Sequence, residues 1–293
     1  MKAPVVILDA ARGVGRGVLQ AALEEGRPVI AVSLDQAELR SLRKRHPAAD
    51  LNIVAGSIAD EASAAALAVA LRELERPIAG IVVAICNEPA PGRVLDHATD
   101  ELQRRLQADL FPQLAAARQL LPLLSESGRN GGYVVVGSPG SENPWAGYGY
   151  RSIAASAISM LVRVLHDEAR HIGVRVQLLG VARPVRTDEN DACACEGWPS
   201  ATAIGEQALA LIDQGDARRA TMPIVPFDPD APRRNKSTTR FEPQEPALLS
   251  RMVATKAQAA DSAAATEGQR YLDQAWSLLE PLFSNNRNEA KQK

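Results

Sequence analysis

Seven short apolar runs recur along the first 227 residues and alternate with segments of helical periodicity. The runs are PVVILDA, PVIAVS, LNIVAG, IAGIVVAIC, GGYVVVGS, GVRVQLLGV and MPIVPF. The helical patterns between them include Glu61–Leu74, Asp100–Leu124 and Ser152–His171. Continuous apolar strands separated by helices are typical of a parallel sheet covered on both faces. With right-handed crossovers, the pattern predicts a doubly wound, Rossmann-like α/β domain of about seven strands that ends near Phe227.

The composition changes after this domain, which we take as residues 1–228. The segment 228–246, DPDAPRRNKSTTRFEPQEP, is polar and rich in proline, and this composition is typical of a linker. Helical patterns return over 247–283, where apolar side chains can share one stripe. We therefore expect 229–293 to be a linker followed by a helical extension that docks on the domain or on a neighbour.

Charge and cysteine usage exclude several classes of function. The chain has 33 basic and 35 acidic residues and a net charge of −2, which argues against a nucleic-acid or anionic-membrane binder. No apolar run approaches the ~20 residues of a membrane span, and no secretory leader is expected. Cys86, Cys193 and Cys195 make no disulfide framework, so we expect a cytoplasmic protein, and the CAC motif is interpreted as two free thiols without a metal.

A glycine-rich segment, DAARGVGRG, follows the first strand and opens a helix. The N-terminus of a helix presents free N–H groups and a positive dipole, which together suit a diphosphate. Gly13 and Gly15 are placed to permit the tight turn and a close approach of backbone to ligand. The alternative is a glycine-rich turn that binds nothing.

This segment resembles the phosphate loop of the short-chain dehydrogenase/reductase family, which has the pattern Thr-Gly-x-x-x-Gly-Ile-Gly. Here the corresponding residues run from Leu8 to Gly15; the last two glycines match, and Asp9 replaces the first. The resemblance extends over about 4–227 and is most specific in QLLPLL (119–124) and in 151–176. It implies a nicotinamide dinucleotide at the loop residues, which are Arg12, Gly13, Val14 and Gly15.

The other cofactor positions implied by the resemblance depart from the family pattern. Ser33 and Leu34 stand where the family often has Asp or Arg for the ribose, and Asp35 comes one position late. Ser57 and Ile58 stand at the position of the family's adenine-contacting Asp-Val. The Asn-Asn-Ala-Gly that follows the fourth strand is replaced by residues 84–87, AICN. Together with the Asp9 carboxylate, these changes predict no NAD(P) binding or weak binding, with NADP slightly favoured over NAD because Arg12 would suit a 2′-phosphate.

The resemblance also implies four catalytic positions. The family uses Tyr as acid/base, a Lys four residues later, a Ser and an Asn. The downstream landmarks LVRVLHDEA and GVRV assign the Tyr position to Arg151 and the Lys position to Ala155. The Ser position is Ser138, and the Asn position is Asp109. Only Ser138 keeps the family residue, and the other three positions differ from the family pattern.

No register shift restores the Tyr–Lys pair, because no lysine occurs between Lys44 and Lys236. An unaided phenol titrates near ~10 and needs a nearby cation to act at neutral pH. Tyr148 or Tyr150 could serve as a displaced acid, with Arg151 as the cation. Ser138 lacks the context of a nucleophile elbow, and His166 and His171 are expected at the solvent edge of the long helix.

Three functions therefore remain open from the sequence. The leading hypothesis is a catalytically impaired relative of the reductases that binds a ligand or partner. The alternatives are a divergent NAD(P)-dependent oxidoreductase with a displaced tyrosine, and an inactive subunit beside an active reductase. In relatives, the helices matching 100–124 and 152–170 pair across a two-fold axis, so we expect a homo-oligomer or a mixed oligomer with a related reductase.

Overall fold

One parallel sheet organises the part of the chain that the computed structural model describes, residues 3–84, 91–213 and 221–230. Its strands are β1 (Val5–Leu8), β2 (Val29–Ser33), β3 (Leu51–Ala55), β4 (Gly80–Val83), β5 (Gly132–Val136), β6 (Arg175–Gly180) and β7 (Ile224–Pro226). The seven strands lie in the order β3-β2-β1-β4-β5-β6-β7, and every neighbouring pair is parallel. The predicted doubly wound Rossmann-like fold is confirmed, including the end of the last strand just before Phe227.

Helices connect the strands and cover both faces of the sheet. They are α1 (Gly13–Glu24), α2 (Gln36–Arg45), α3 (Glu61–Arg72), α4 (Thr99–Asp109), α5 (Phe111–Glu126), α6 (Gly149–Glu168) and α7 (Ala201–Asp213). Short 3-10 turns lie at Val94–Asp96, Ala169–Ile172 and Asp191–Cys193. Within the described residues, no helix has the length and apolarity that crossing a membrane requires.

The prediction of one continuous helix over Asp100–Leu124 is wrong, because the chain forms α4 and α5 there, with Leu110 between them. Pro112 is the second residue of α5. Proline has no N–H to donate, so the helical hydrogen bond from residue 112 back to the carbonyl of residue 108 is missing, and this loss is tolerated best in a first helical turn. The second helix therefore starts anew at Phe111.

The core has two layers, one on each face of the sheet. Alternate residues of β1 divide between them: Val6 and Leu8 pack with α3, α5 and α6, whereas Val5 and Ile7 pack with α1, α2 and α7. This division explains why the central strands are apolar throughout rather than alternating.

Glycines allow α1 and α7 to approach closely. A Cβ on Gly17 would lie 2.3 Å from the carbonyl carbon of Ala201, and a Cβ on Gly205 would lie 2.7 Å from the Cα of Val18. No side chain fits at either position without moving backbone.

The long-helix pattern at Ser152–His171 corresponds to α6 and the following 3-10 turn. His166 was expected at the solvent edge, and this prediction is wrong, because its side chain is only 3% exposed. Its Nδ1–H donates to the carbonyl of Val176 on β6 at 2.7 Å, and its Nε2 accepts from Arg170 at 3.1 Å. His171 is exposed in the 3-10 turn. The predicted helical extension over 247–283 lies outside the described residues.

Candidate functional site

A cavity of about 690 Å³ lies at the carboxyl ends of the central strands. Its wall comes from the β1–α1 loop, the ends of β4 and β5, the first half of α6 and the segment that follows β6. The sheet order reverses between β1 and β4, and the crevice outside such a switch point is where doubly wound proteins bind ligands. We call this cavity the cleft.

The β1–α1 loop forms one end of the cleft, where Arg12, Gly13 and Val14 line the wall. Gly13 has a φ of +52°, a conformation that glycine adopts without strain. Gly15 is buried below the loop, where a Cβ would lie 2.2 Å from the carbonyl oxygen of Asp9. The predicted strand–loop–helix context of this segment is confirmed.

Asp9 occupies the position of the first family glycine and has a positive φ of 57°. Its carboxylate pairs with the guanidinium of Arg12 at 3.2 Å. Burial raises the pKa of the Asp9 carboxyl above its ordinary value; Arg12 opposes this rise, and the nearby Glu189 carboxylate adds to it. Negative charge therefore stands at the phosphate-loop end, and part of the Arg12 charge is already neutralised.

A second carboxylate, that of Glu189, comes to the same loop from the segment after β6. The backbone N–H of Gly13 donates to its Oε1 at 2.8 Å. Burial by itself raises the pKa of the Glu189 carboxyl, but hydrogen bonds from the Gly13 amide and Thr187 outweigh it, so the pKa lies below its ordinary value. An ionised carboxylate therefore caps the N-terminus of α1, where the helix dipole favours negative charge.

The other end of the cleft brings together the four positions inferred for catalysis. Ser138 follows β5, Asp109 ends α4, and Arg151 and Ala155 lie one turn apart on α6. All four line the cleft. Ala155 is buried, and Ser138, Asp109 and Arg151 are partly exposed.

The two neighbouring tyrosines differ in their surroundings. Tyr148 lines the cleft and stacks on Trp145, with ring centroids 4.2 Å apart. Tyr150 is buried, and its hydroxyl donates to the carbonyl of Val94 at 3.1 Å. Of the pair, Tyr148 is the one placed beside the four positions.

Comparison with known protein families identifies the family to which this fold and cleft belong. A family model described as enoyl-(acyl carrier protein) reductase matches residues 10–209, more than half of the chain. The chain belongs to the short-chain dehydrogenase/reductase family. No match was found among curated protein sequences.

Solved structures of reductases have the same fold. The apo short chain oxidoreductase from Pseudomonas aeruginosa PAO1 "containing an atypical catalytic center" is 19% identical, with a TM-score of 0.66 over 80% of this chain and 98% of that one. Its NADPH-bound structure is 20% identical over the same shares, also at 0.66. The Pseudomonas aeruginosa RhlG/NADP active-site complex is 20% identical, with a TM-score of 0.66 over 77% and 94%. Identities this low show the shared fold alone.

The adenine-side positions of the reductase pattern lie outside the wall of the cleft. Ser33 is buried, and its hydroxyl accepts from the backbone N–H of Asp35 at 3.2 Å. The Asp35 carboxylate caps α2 by accepting from the Glu38 N–H at 2.9 Å. The Ser57 hydroxyl accepts from the Ala59 N–H at 3.0 Å, and Ile58 is a core residue. In this structure Ser33 and Ser57 stabilise turns, Asp35 caps α2, and Ile58 packs in the core.

Residues of the β4 end are described only in part. Ala84 lines the cleft, and Ile85, Cys86 and Asn87 lie outside the described residues. Cys193 and Cys195 are exposed free thiols. Within the described ranges, no three His, Cys, Asp or Glu side chains come together in a way that could hold a metal.

Sequence reasoning missed two residues of the cleft, Glu189 and Gln113. Gln113 is 5% exposed, and its Oε1 accepts no hydrogen bond. It lies on α5, four residues after Asp109, and lines the cleft with it. A buried acceptor without a donor is costly, which makes Gln113 an unusual polar residue in the wall of the cleft. The signal available in the sequence was the i, i+4 spacing from the Asn position.

Proposed function

We propose that this chain is a catalytically impaired short-chain dehydrogenase/reductase, a pseudoenzyme that acts as a ligand- or partner-binding or regulatory subunit. The observation that carries the proposal is the pair Arg151 and Ala155 on the wall of the cleft, at the places of the family's acid/base and its cation. Neither residue can supply a proton to a developing alkoxide.

The chemistry of the pair supports this proposal. A guanidinium stays protonated throughout the physiological range, so Arg151 is no acid/base. Ala155 has no charge with which to lower the pKa of a phenol or to hold a ribose. General acid–base assistance is worth ~10²–10⁴-fold by itself, and a poorly placed cofactor adds a loss of proximity. Ser138 alone would orient a carbonyl without protonating it.

For the cofactor we propose no NAD(P) binding or weak binding. Asp9 and Glu189 place two carboxylates at the loop that relatives use for phosphates. The Arg12 side chain is 68% exposed and could meet a 2′-phosphate, so any residual binding would favour NADP over NAD. The second Pseudomonas aeruginosa oxidoreductase structure and the RhlG complex hold NADPH and NADP, respectively.

We also propose that the protein is a cytoplasmic oligomer, either of identical copies or mixed with a related reductase. Free thiols at Cys193 and Cys195 fit a reducing compartment. Large apolar side chains of α5 and α6 are exposed and would be covered by a partner. They are Phe111 (53%), Leu114 (39%), Ile153 (39%), Met160 (59%) and Val164 (45%).

Light scattering at micromolar concentration tests the assembly. The full chain should be at least dimeric, and Met160→Asp with Val164→Asp should dissociate it, because each substitution buries a charge at the contact. Val69→Asp, which introduces an acid at an exposed apolar residue of α3 away from the α5 and α6 side chains named above, is the matched control. A monomeric wild type that also fails to co-purify with a reductase would contradict this part of the proposal.

A second candidate is a divergent NAD(P)-dependent oxidoreductase that uses Tyr148. It is favoured by the position of Tyr148 on the cleft, near the Arg151 cation. One similar structure is described as containing an atypical catalytic center, so altered sites occur on this fold.

Turnover of a panel of ketones with NADPH and NADH, followed by absorbance of the reduced nicotinamide, separates the two candidates. The pseudoenzyme should give no turnover. Turnover lost in Tyr148→Phe and kept in Tyr150→Phe would establish the displaced tyrosine. Tyr150→Phe is the matched control because its hydroxyl bonds to Val94.

A further inference from the structure

The phosphate loop of this chain already holds an anion, and the anion is the chain's own Glu189. The Gly13 N–H opens α1, a helix of 12 residues, and donates to the Glu189 carboxylate at 2.8 Å. Free amides at the start of such a helix are the groups that bind phosphate oxygens. A ligand phosphate and the Glu189 carboxylate would therefore compete for the same donor.

The segment 187–190, which carries Glu189, is anchored in place. The Asn190 side chain accepts from the Thr187 N–H at 2.8 Å and donates to the Val185 carbonyl at 2.9 Å. Asp188 pairs with Arg16 of α1 at 3.3 Å. The carboxylate is thus presented by a pre-organised turn, and little further ordering is needed to form the Gly13 contact.

Charge on the neighbouring side chains strengthens the competition. Glu189 is ionised, because its hydrogen bonds hold its pKa below the ordinary value despite burial. Arg12 and Arg16, which could otherwise attract a diphosphate, pair with Asp9 and Asp188. An incoming phosphate would meet two carboxylates and two arginines that already have acidic partners.

We propose that Glu189 is an internal competitor for the phosphate loop: its carboxylate takes the place of a ligand phosphate on the Gly13 amide, and a dinucleotide binds only after 187–190 moves away. The inference rests on the proposed function in using the cleft as the ligand site, and it concerns binding rather than chemistry. Glu189 thereby selects against phosphate-bearing ligands.

The test is calorimetric titration of the full-length protein with NADP⁺. Glu189→Ala should bind NADP⁺ about tenfold or more tightly than wild type, since a hydrogen bond to a charged group is worth about that factor. Glu189→Gln, which keeps an acceptor of the same size without the charge, should fall between the two. Asp191→Ala is the matched control; it removes a nearby negative charge from an exposed side chain that pairs with Arg186 rather than with the phosphate loop, and its gain should be smaller than that of Glu189→Ala.

Equal affinity in wild type and Glu189→Ala would overturn the inference. So would an equal gain in Asp191→Ala, which would reveal a general effect of negative charge near the loop, or no detectable binding by any variant. Thermal unfolding checks that each variant is folded. The Gly13 amide gives an independent readout by NMR hydrogen exchange: it should be protected in wild type, lose protection in Glu189→Ala and regain it with inorganic pyrophosphate. Unchanged protection in Glu189→Ala would also overturn the inference.

Measurements on the same proteins distinguish the role of Glu189 from the impaired-reductase proposal. Ketone reduction by wild type would refute the impaired-reductase proposal and leave the binding comparison intact. Conversely, equal NADP⁺ affinities with no turnover would refute the role of Glu189 alone.

Discussion

The two ends of the cleft depart from the reductase pattern in different ways. At the phosphate-loop end the backbone is kept, with Gly13 and Gly15 in place, and the charge is changed by Asp9 and Glu189. At the α6 end the helix is kept, and Arg151 and Ala155 stand at the positions that we infer for the acid/base and the cation.

Packing explains why glycines can be kept at one end of the cleft while the residues at 151 and 155 differ from the family pattern at the other. Gly15 and Gly17 are required by packing, because a Cβ on either would strike backbone, at 2.2 Å and 2.3 Å. The fold needs these glycines whether or not a ligand binds. Arg151 and Ala155 line the cleft, where a change of chemistry leaves the sheet and core untouched. Of the two glycines that match the family pattern, Gly15 is therefore required by packing alone, and its presence carries little information about cofactor binding.

The largest effect is expected when both ends of the cleft are changed together toward the family pattern. Arg151→Tyr with Ala155→Lys should give little ketone reduction with NADPH, because the phosphate loop stays occupied. Adding Glu189→Ala should raise kcat/KM for NADPH about tenfold or more over the double variant, because both variants carry the same acid–base pair and differ only in the competitor at the phosphate loop. Steady-state rates at several NADPH concentrations measure this.

The control for restored chemistry is the same triple variant with Phe at 151, which should be inactive. A double variant as fast as the triple would mean that only the α6 end is defective.

Gly17→Val tests whether packing against α7 requires glycine at this position. The substitution pushes two methyl groups and a Cβ into Ala201 of α7, and overpacking of this kind costs about 3 kcal/mol. Gly13→Ala should cost only about 1 kcal/mol, since nothing lies within 4 Å of its Cβ and only the positive φ is strained. Urea unfolding without any nucleotide measures both. Comparable losses would show that packing does not explain the retained glycine.

Substitutions of Asp9 are expected to have the smallest effect. They distinguish the contribution of its charge to stability from that of its backbone conformation. The folded-state pKa of Asp9 is raised from 3.8, so the protonated carboxyl contributes stability below pH 4 that is lost as pH rises through the raised pKa. Asp9→Asn should therefore stabilise the protein at pH 7 and lose that gain on acidification. Asp9→Gly removes the same carboxyl and also relieves the φ of 57°, so it should exceed the gain of Asp9→Asn by about 1 kcal/mol at each pH. Urea unfolding from pH 4 to 8 measures this, and an Asp9→Asn gain that grows on acidification would contradict it.

Local pattern was sufficient for most of the fold, because continuous apolar strands and helical periodicity are properties of neighbouring residues. The break at Leu110 was missed although Pro112 signals it, since the apolar rhythm runs on across the proline. The burial of His166 depends on the carbonyl of Val176 on β6, which no helical pattern specifies.

The site was predictable where a family motif fixes the spacing. Motif spacing assigned Ser138, Asp109, Arg151 and Ala155, and all four line one cleft. The contact between Gly13 and Glu189 joins residues 176 apart, and neither end of it belongs to a shared motif. Gln113 escaped notice because glutamine on a helix usually faces solvent, and its burial follows from the packing of α5.

A single-turnover experiment tests most directly whether the wild-type α6 end has lost its chemistry. Full-length protein in stoichiometric amounts is mixed with saturating NADPH and a ketone, and the absorbance of the reduced nicotinamide is followed against a protein-free sample. We expect the two traces to coincide, because neither Arg151 nor Ala155 can deliver a proton to the alkoxide. A loss of absorbance that Arg151→Ala preserves and Tyr148→Phe abolishes would show that the chain is an active reductase with a displaced tyrosine.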